Sequence, residues 1–146
     1  MTRLSLRSST TALALIALAG TAWSADRTPS PPGAEVYFIG LADHAKVHSP
    51  LVVRFGLKGM GIAPAGVVMD NTGHHHLFVD TPLPADMSQP IPAVEGKVIH
   101  YGKGQTETEL TLAPGEHTLQ LLLGDAKHVP HEPPVASKKL TITVLK

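Results

Sequence analysis

The chain predicts an all-β domain, an immunoglobulin-like antiparallel β-sandwich of about seven strands. Three observations carry that reading: short segments alternate apolar and polar residues, Gly, Pro and Asn divide them, and no helical period or internal repeat is sustained. An alternating segment buries one face and wets the other, which suits two antiparallel sheets stacked face to face. A jelly roll needs about one more strand, and a small closed barrel is the nearer competitor.

In chain order the strands are expected near Glu35 to Gly40, Leu51 to Leu57, His74 to Asp80, Lys97 to Tyr101, Thr106 to Leu112, His117 to Leu123 and Lys139 to Leu145. In the second, Leu51, Val53, Phe55 and Leu57 oppose Arg54 and Lys58; in the last, Leu140, Ile142 and Val144 oppose Thr141 and Thr143. The turn Ala113-Pro114-Gly115-Glu116 suits a corner where the chain passes from one sheet to the other. The glycine-rich stretch from Gly59 to Gly66 lacks a dinucleotide fingerprint and reads as a mobile loop. Thr81 to Pro92, with prolines at 82, 84, 90 and 92, reads as a long extended connection that covers the sandwich or offers a peptide-binding edge.

Ahead of the domain, residues 1–24 read as a secretory signal peptide. Arg3 and Arg7 form its positive start, Ala12 to Gly20 its apolar run, and Ala22-Trp23-Ser24 places small residues at the cleavage positions. A periplasmic or secreted protein is therefore expected. The apolar run is about half the ~20 residues that span a bilayer, so no membrane anchor is expected. No cysteine is present to carry a lipid or a disulfide, and core packing alone must hold the domain. Residues 25–33, which include the stretch DRTPSPPG, read as a disordered, proline-rich leader, and residues 34–146 as the β-sandwich domain.

Basic and acidic residues balance at twelve each, and removal of Arg3 and Arg7 leaves ten against twelve. Nucleic acid and anionic membrane both call for a clustered basic face, so neither is expected as a partner. The compositional outlier is nine histidines. Histidine is the commonest metal ligand.

The sandwich topology sorts those histidines. The third and sixth expected strands are antiparallel neighbours, so His74-His75-His76 at the start of one lies beside the loop that follows the other, which carries Asp125, His128 and His131. His100 is expected near the same end from the opposite sheet, and His44, His48 and His117 at the far end. His74 and His76 share one strand face with Cα atoms about 6.5 to 7 Å apart, near enough for two imidazoles to meet one ion, while His75 points the other way. His128 and His131, stiffened by Pro130, offer a second pair. Together His74, His76, His128 and His131 form the expected metal site, with copper or zinc as the ion. Met60 and Met69 in a loop at that end would tilt the preference toward copper(I).

Plainer readings stand beside each of these. Three histidines on a strand also make a half-buried polar rim, loop imidazoles also hold backbone carbonyls, methionines also fill cores, and Asp125 after Gly124 is first a turn residue. Ser, His and Asp are all present, but no nucleophile elbow or other local catalytic signature appears.

Several segments together carry a resemblance: Gly73-His74-His75-His76-Leu77-Phe78-Val79-Asp80, Gly102-Lys103-Gly104-Gln105-Thr106-Glu107, Gly115-Glu116-His117-Thr118-Leu119-Gln120-Leu121, and Gly124-Asp125 through His128-Val129-Pro130-His131 with Pro133-Pro134-Val135 after it. From about Ala34 to the C-terminus the chain resembles an uncharacterised bacterial secreted family, the domain-of-unknown-function type numbered 4399. The resemblance implies a compact β domain behind a signal peptide, and it implies no reaction and no ligand set. The pattern is more loosely similar to secreted immunoglobulin-like periplasmic copper-binding proteins. The expected function is periplasmic copper or zinc binding for storage, delivery or protection, with a periplasmic protein as a further partner. A non-enzymatic interaction module for a polar ligand or protein, and a metal-dependent enzyme with an open coordination position, are the alternatives.

Overall fold

A computed structural model describes residues 27–146; the expected signal peptide and the first two residues of the leader lie outside the described residues. The fold is an all-β sandwich. Its strands are β1 (Glu35–Ile39), β2 (Lys46–Val47), β3 (Leu51–Lys58), β4 (Gly61–Ile62), β5 (Thr72–Val79), β6 (Val98–His100), β7 (Glu107–Leu110), β8 (Gly115–Gly124) and β9 (Leu140–Val144). Each segment expected from alternation is a strand, and β2 and β4 are two-residue additions. The glycine-rich stretch read as a mobile loop thus contributes β4, which pairs in parallel with the start of β5.

The smaller sheet runs β1-β3-β7, and the larger runs β2-β9-β8-β5-β4 with β6 also paired to β5. The chain crosses between them from β7 to β8, at the turn that the sequence marks as a corner. Val36, Val53 and Phe55 of the smaller sheet meet Leu77, Val79, Leu119, Leu121, Leu123 and Ile142 of the larger in one inter-sheet core. Burial of such side chains is worth about 1.5 to 3 kcal/mol each before the entropy of ordering them is counted.

The position of β6 differs from the expectation. It lies in the larger sheet beside β5, with His76 opposite His100, so His100 belongs to the same sheet as His74 and His76. The physical reason is the free edge of β5. Its unpaired N–H and C=O groups need partners, and the chain returning after the long connection supplies them.

β5 is buried on both faces beyond its first residue. His75, Leu77 and Val79 face the inter-sheet core, where the His75 ring lies 5.1 Å from that of Phe55. On the outer face a second apolar cluster, Phe78, Ile91 and Leu122 with Leu83, Met87, Val98 and Ala136, fills the space under the connection from Thr81 to Lys97 and the segment that follows β8. That connection therefore covers the sandwich. Among the described residues no helix is long and apolar enough to cross a membrane.

Candidate metal centre

The strand period places His74 and His76 on the outer face of β5, their rings 4.8 Å apart. Register does the next step: His100 on β6 sits opposite His76, and the two rings stack at 5.0 Å. The His100 ring is also 5.0 Å from that of His74. One ring nitrogen from each of His74, His76 and His100 lies within 4.8 Å of the others, and this trio can hold a metal ion. Two glycines leave room for the rings. A Cβ on Gly124, which pairs with His74 across β8, would stand 2.8 Å from Cε1 of His76, and one on Gly102 would collide with the His100 imidazole.

A fourth imidazole arrives from the segment after β8. The His128 ring lies 4.9 Å from His74, 4.7 Å from His100 and 5.9 Å from His76. Its Nε2 is 3.2 Å from Nε2 of His100. That is a hydrogen bond between the two rings, and because two nitrogens bound at about 2.0 to 2.1 Å to one tetrahedral ion stand about 3.3 Å apart, the same spacing would also suit two ligands of one metal.

His128 is held in a left-handed backbone conformation, φ 68°, which is uncommon for a residue with a Cβ and persists only where neighbours enforce it. Asp125 is the enforcing group. Its Oδ1 accepts the N–H groups of Lys127 at 2.8 Å and Val129 at 2.9 Å, on either side of His128. Its Oδ2 accepts the hydroxyl of Thr28 at 2.6 Å. The leader, read from sequence as disordered, is thus tied down: Arg27 Nε donates to the Pro130 carbonyl at 3.0 Å, its guanidinium also reaches the His131 carbonyl and the Glu132 carboxylate, and backbone bonds join Thr28 and Ser30 to Glu132. Replacing Thr28 by Val should loosen the turn and weaken copper or zinc binding by about tenfold, the equivalent of one hydrogen bond to a charged group, while Thr28→Ser should preserve it. Equal metal affinity in titrations of all three proteins would show that the leader does not position His128.

His131 does not join the cluster. Its ring is fully buried and donates from Nε2 to the Thr72 carbonyl at 3.1 Å. The bridge from Pro130 to Gly124 draws this part of the segment back along the end of β8, so its imidazole serves the backbone at the start of β5. Of the four expected ligands, then, His74, His76 and His128 come together and His131 is replaced by His100. The signal for His100 was its place in a strand that ends beside glycine, but only the sheet assignment makes it a neighbour of His76. Met60 packs against the inter-sheet core and Met69 is an exposed loop residue. The backbone N–H of His44 donates to the Thr141 carbonyl and the His117 ring bonds to Asp80, at the end remote from the cluster as the sandwich topology implies.

The electrostatics favour ligation. Burial, followed by the nearby His128 and His100, pushes His74 down to about 4; burial, followed by His74, pushes His76 down to about 3; burial and His128 lower His100. His74 and His76 are therefore neutral at pH 7 with lone pairs free, the form that binds metals. Both ring nitrogens of His74 and Nδ1 of His76 are buried without a hydrogen-bond partner. Each such orphan costs about 1 to 3 kcal/mol, and a bound ion would satisfy the nitrogen it engages.

The family profile described as a domain of unknown function, DUF4399, matches residues 53–145, a span that includes all four clustered histidines and leaves out β1 and the leader. No curated protein and no solved structure matches the chain, so the looser likeness to secreted copper proteins rests on sequence pattern alone. By the profile match over most of its length, the chain belongs to the DUF4399 family.

Proposed function

We propose that this domain is an exported protein that binds copper or zinc through His74, His76 and His100, with His128 as fourth donor, in a storage, delivery or protective role in the periplasm. The observation that carries the reading is the convergence of three ring nitrogens within 4.8 Å on the outer face of one sheet, two of them on buried residues and that of His100 at the exposed edge. The donor set is imidazole nitrogen, which suits zinc and copper and discriminates against magnesium and calcium, whose preference is for oxygen. With neither methionine in the set, the tilt toward copper(I) expected from sequence is lost.

The arrangement also fits reversible binding. His74, His76 and His100 are preorganised by paired strands, whereas His128 stands on a tied loop whose local opening would free one ligand without disturbing the sheet. Equilibrium dialysis against copper, zinc and magnesium salts, followed by metal analysis, should give about one copper or zinc ion per chain and no magnesium. His100→Ala should lower the affinity by about tenfold or more, and His44→Ala should leave it unchanged. No bound copper or zinc, or equal affinity in His100→Ala, would overturn the proposal.

A further inference from the structure

Beside the imidazoles lies a cavity of about 140 Å³, with His76, His100 and His128 on one side and Ile91, Ala93 and Val98 on the other. His74, at the back of the cluster, does not line it. The space is close to the ~150 Å³ of an engineered cavity that holds one benzene, and it is several times the share of a single water. It is also sited where a reagent would meet the metal rather than the sheet, because three of the four candidate ligands form its wall.

Charge identifies the class of occupant. Neutral imidazoles leave the full charge of a divalent ion uncompensated, and a buried net charge is costly until an opposite charge joins it. Among the described residues the carboxylate whose charge is felt at His74 is that of Asp125. Its oxygens already accept from Thr28, Lys127 and Val129, which fixes it in the turn. Its one negative charge offsets at most half of a divalent ion's, so the remaining compensation, one negative charge, must come from outside the chain. The apolar wall formed by Ile91, Ala93 and Val98 disfavours large, strongly hydrated polyanions and admits a small singly charged one. Copper(II) and zinc both accept a further ligand beyond a three- or four-nitrogen set.

We propose, resting on the metal reading above, that the bound ion keeps a coordination position open to this cavity and takes a small monodentate monoanion there, of the hydroxide, azide or nitrite type. Such a position is what separates an exchangeable or reactive metal centre from a closed structural one.

The probe is sodium azide added to the copper(II)-loaded full domain, read by the charge-transfer absorption of the copper–azide bond. Saturable binding in the millimolar range or tighter is expected, with sulfate unable to compete. Ala93 is exposed and tolerates a larger side chain, so Ala93→Phe should fill the cavity from its rim. That variant should lose azide affinity by about tenfold or more, a difference of 1.4 kcal/mol, while its copper affinity and melting temperature stay close to those of the parent. Copper binding without saturable azide binding would overturn this inference alone, as would azide binding in Ala93→Phe equal to that of the parent. A parent that retains neither copper nor zinc on dialysis would overturn the metal reading and this inference with it.

Discussion

Acidification of the metal-free domain from about pH 7 to about pH 5 should cost it several kcal/mol and bring it to cooperative unfolding near the lower end. Burial holds His74 and His75 at about 4 and His76 at about 3. In the unfolded chain each titrates near 6.5. Below that value the unfolded state binds protons that the folded state refuses, so stability is lost as the pH falls and the loss continues until the folded values are reached. Each imidazole contributes up to about 1.4 kcal/mol per pH unit in that window, and three together roughly 4 at the steepest, against a total of 5 to 15 kcal/mol for an ordinary domain. His117 works in the opposite direction. The hydrogen bond to Asp80 raises its pKa, so its contribution is complete below about 6.5 and is lost as the pH rises through its folded value; Asp80 is solvent-exposed, which keeps the effect small.

His75 isolates the cause. It packs between the sheets against Phe55, both its nitrogens lack partners, and it faces away from the metal cluster. His75→Leu should therefore raise stability at neutral pH by about 1 to 3 kcal/mol and remove about a third of the acid slope, with metal binding retained. Chemical denaturation at half-unit pH steps measures both effects. Stability that is flat from about pH 7 to about pH 5 would mean that the three rings titrate as if in water.

The second large effect is stabilisation by metal. Copper or zinc at about a hundred times its dissociation constant should add about 2.7 kcal/mol if it binds only the native state, raising Tm by several degrees, and magnesium should add nothing. His100 is exposed and His128 half-buried, so the double change His100→Ala with His128→Ala should leave the metal-free protein nearly as stable while removing most of the shift. The pair His44→Ala with His48→Ala, at the opposite end of the sandwich, serves as the control and should melt with the metal-dependent shift intact. If both double variants respond to metal like the parent, the site lies elsewhere.

How far the site was legible follows from which of its determinants are local. His74 and His76 share a face because a strand repeats every two residues, and that holds wherever the strand lies. Their closeness to the segment carrying His128 followed from the neighbour relation of two long antiparallel strands, visible as His74 opposite Gly124. His100 could not be placed in the same way. The sequence shows a strand ending at Tyr101 but not which edge it joins, and placing it in the opposite sheet separates two rings that in fact stack at 5.0 Å. The leader shows the same limit. Proline and polar residues leave its backbone without local partners, but the groups it binds, Asp125, Pro130 and Glu132, lie about a hundred residues away.

By itself the sequence determined the all-β class, the place of each main strand, and which of the three consecutive histidines face together, because alternation and turn chemistry are properties of neighbouring residues. Tertiary structure alone decided that β6 closes the free edge of β5, that His100 rather than His131 meets the cluster, and that His74 and His76 are buried beneath covering segments. Those outcomes turn on how unpaired strand edges find partners across the whole chain, and a local pattern does not encode that choice.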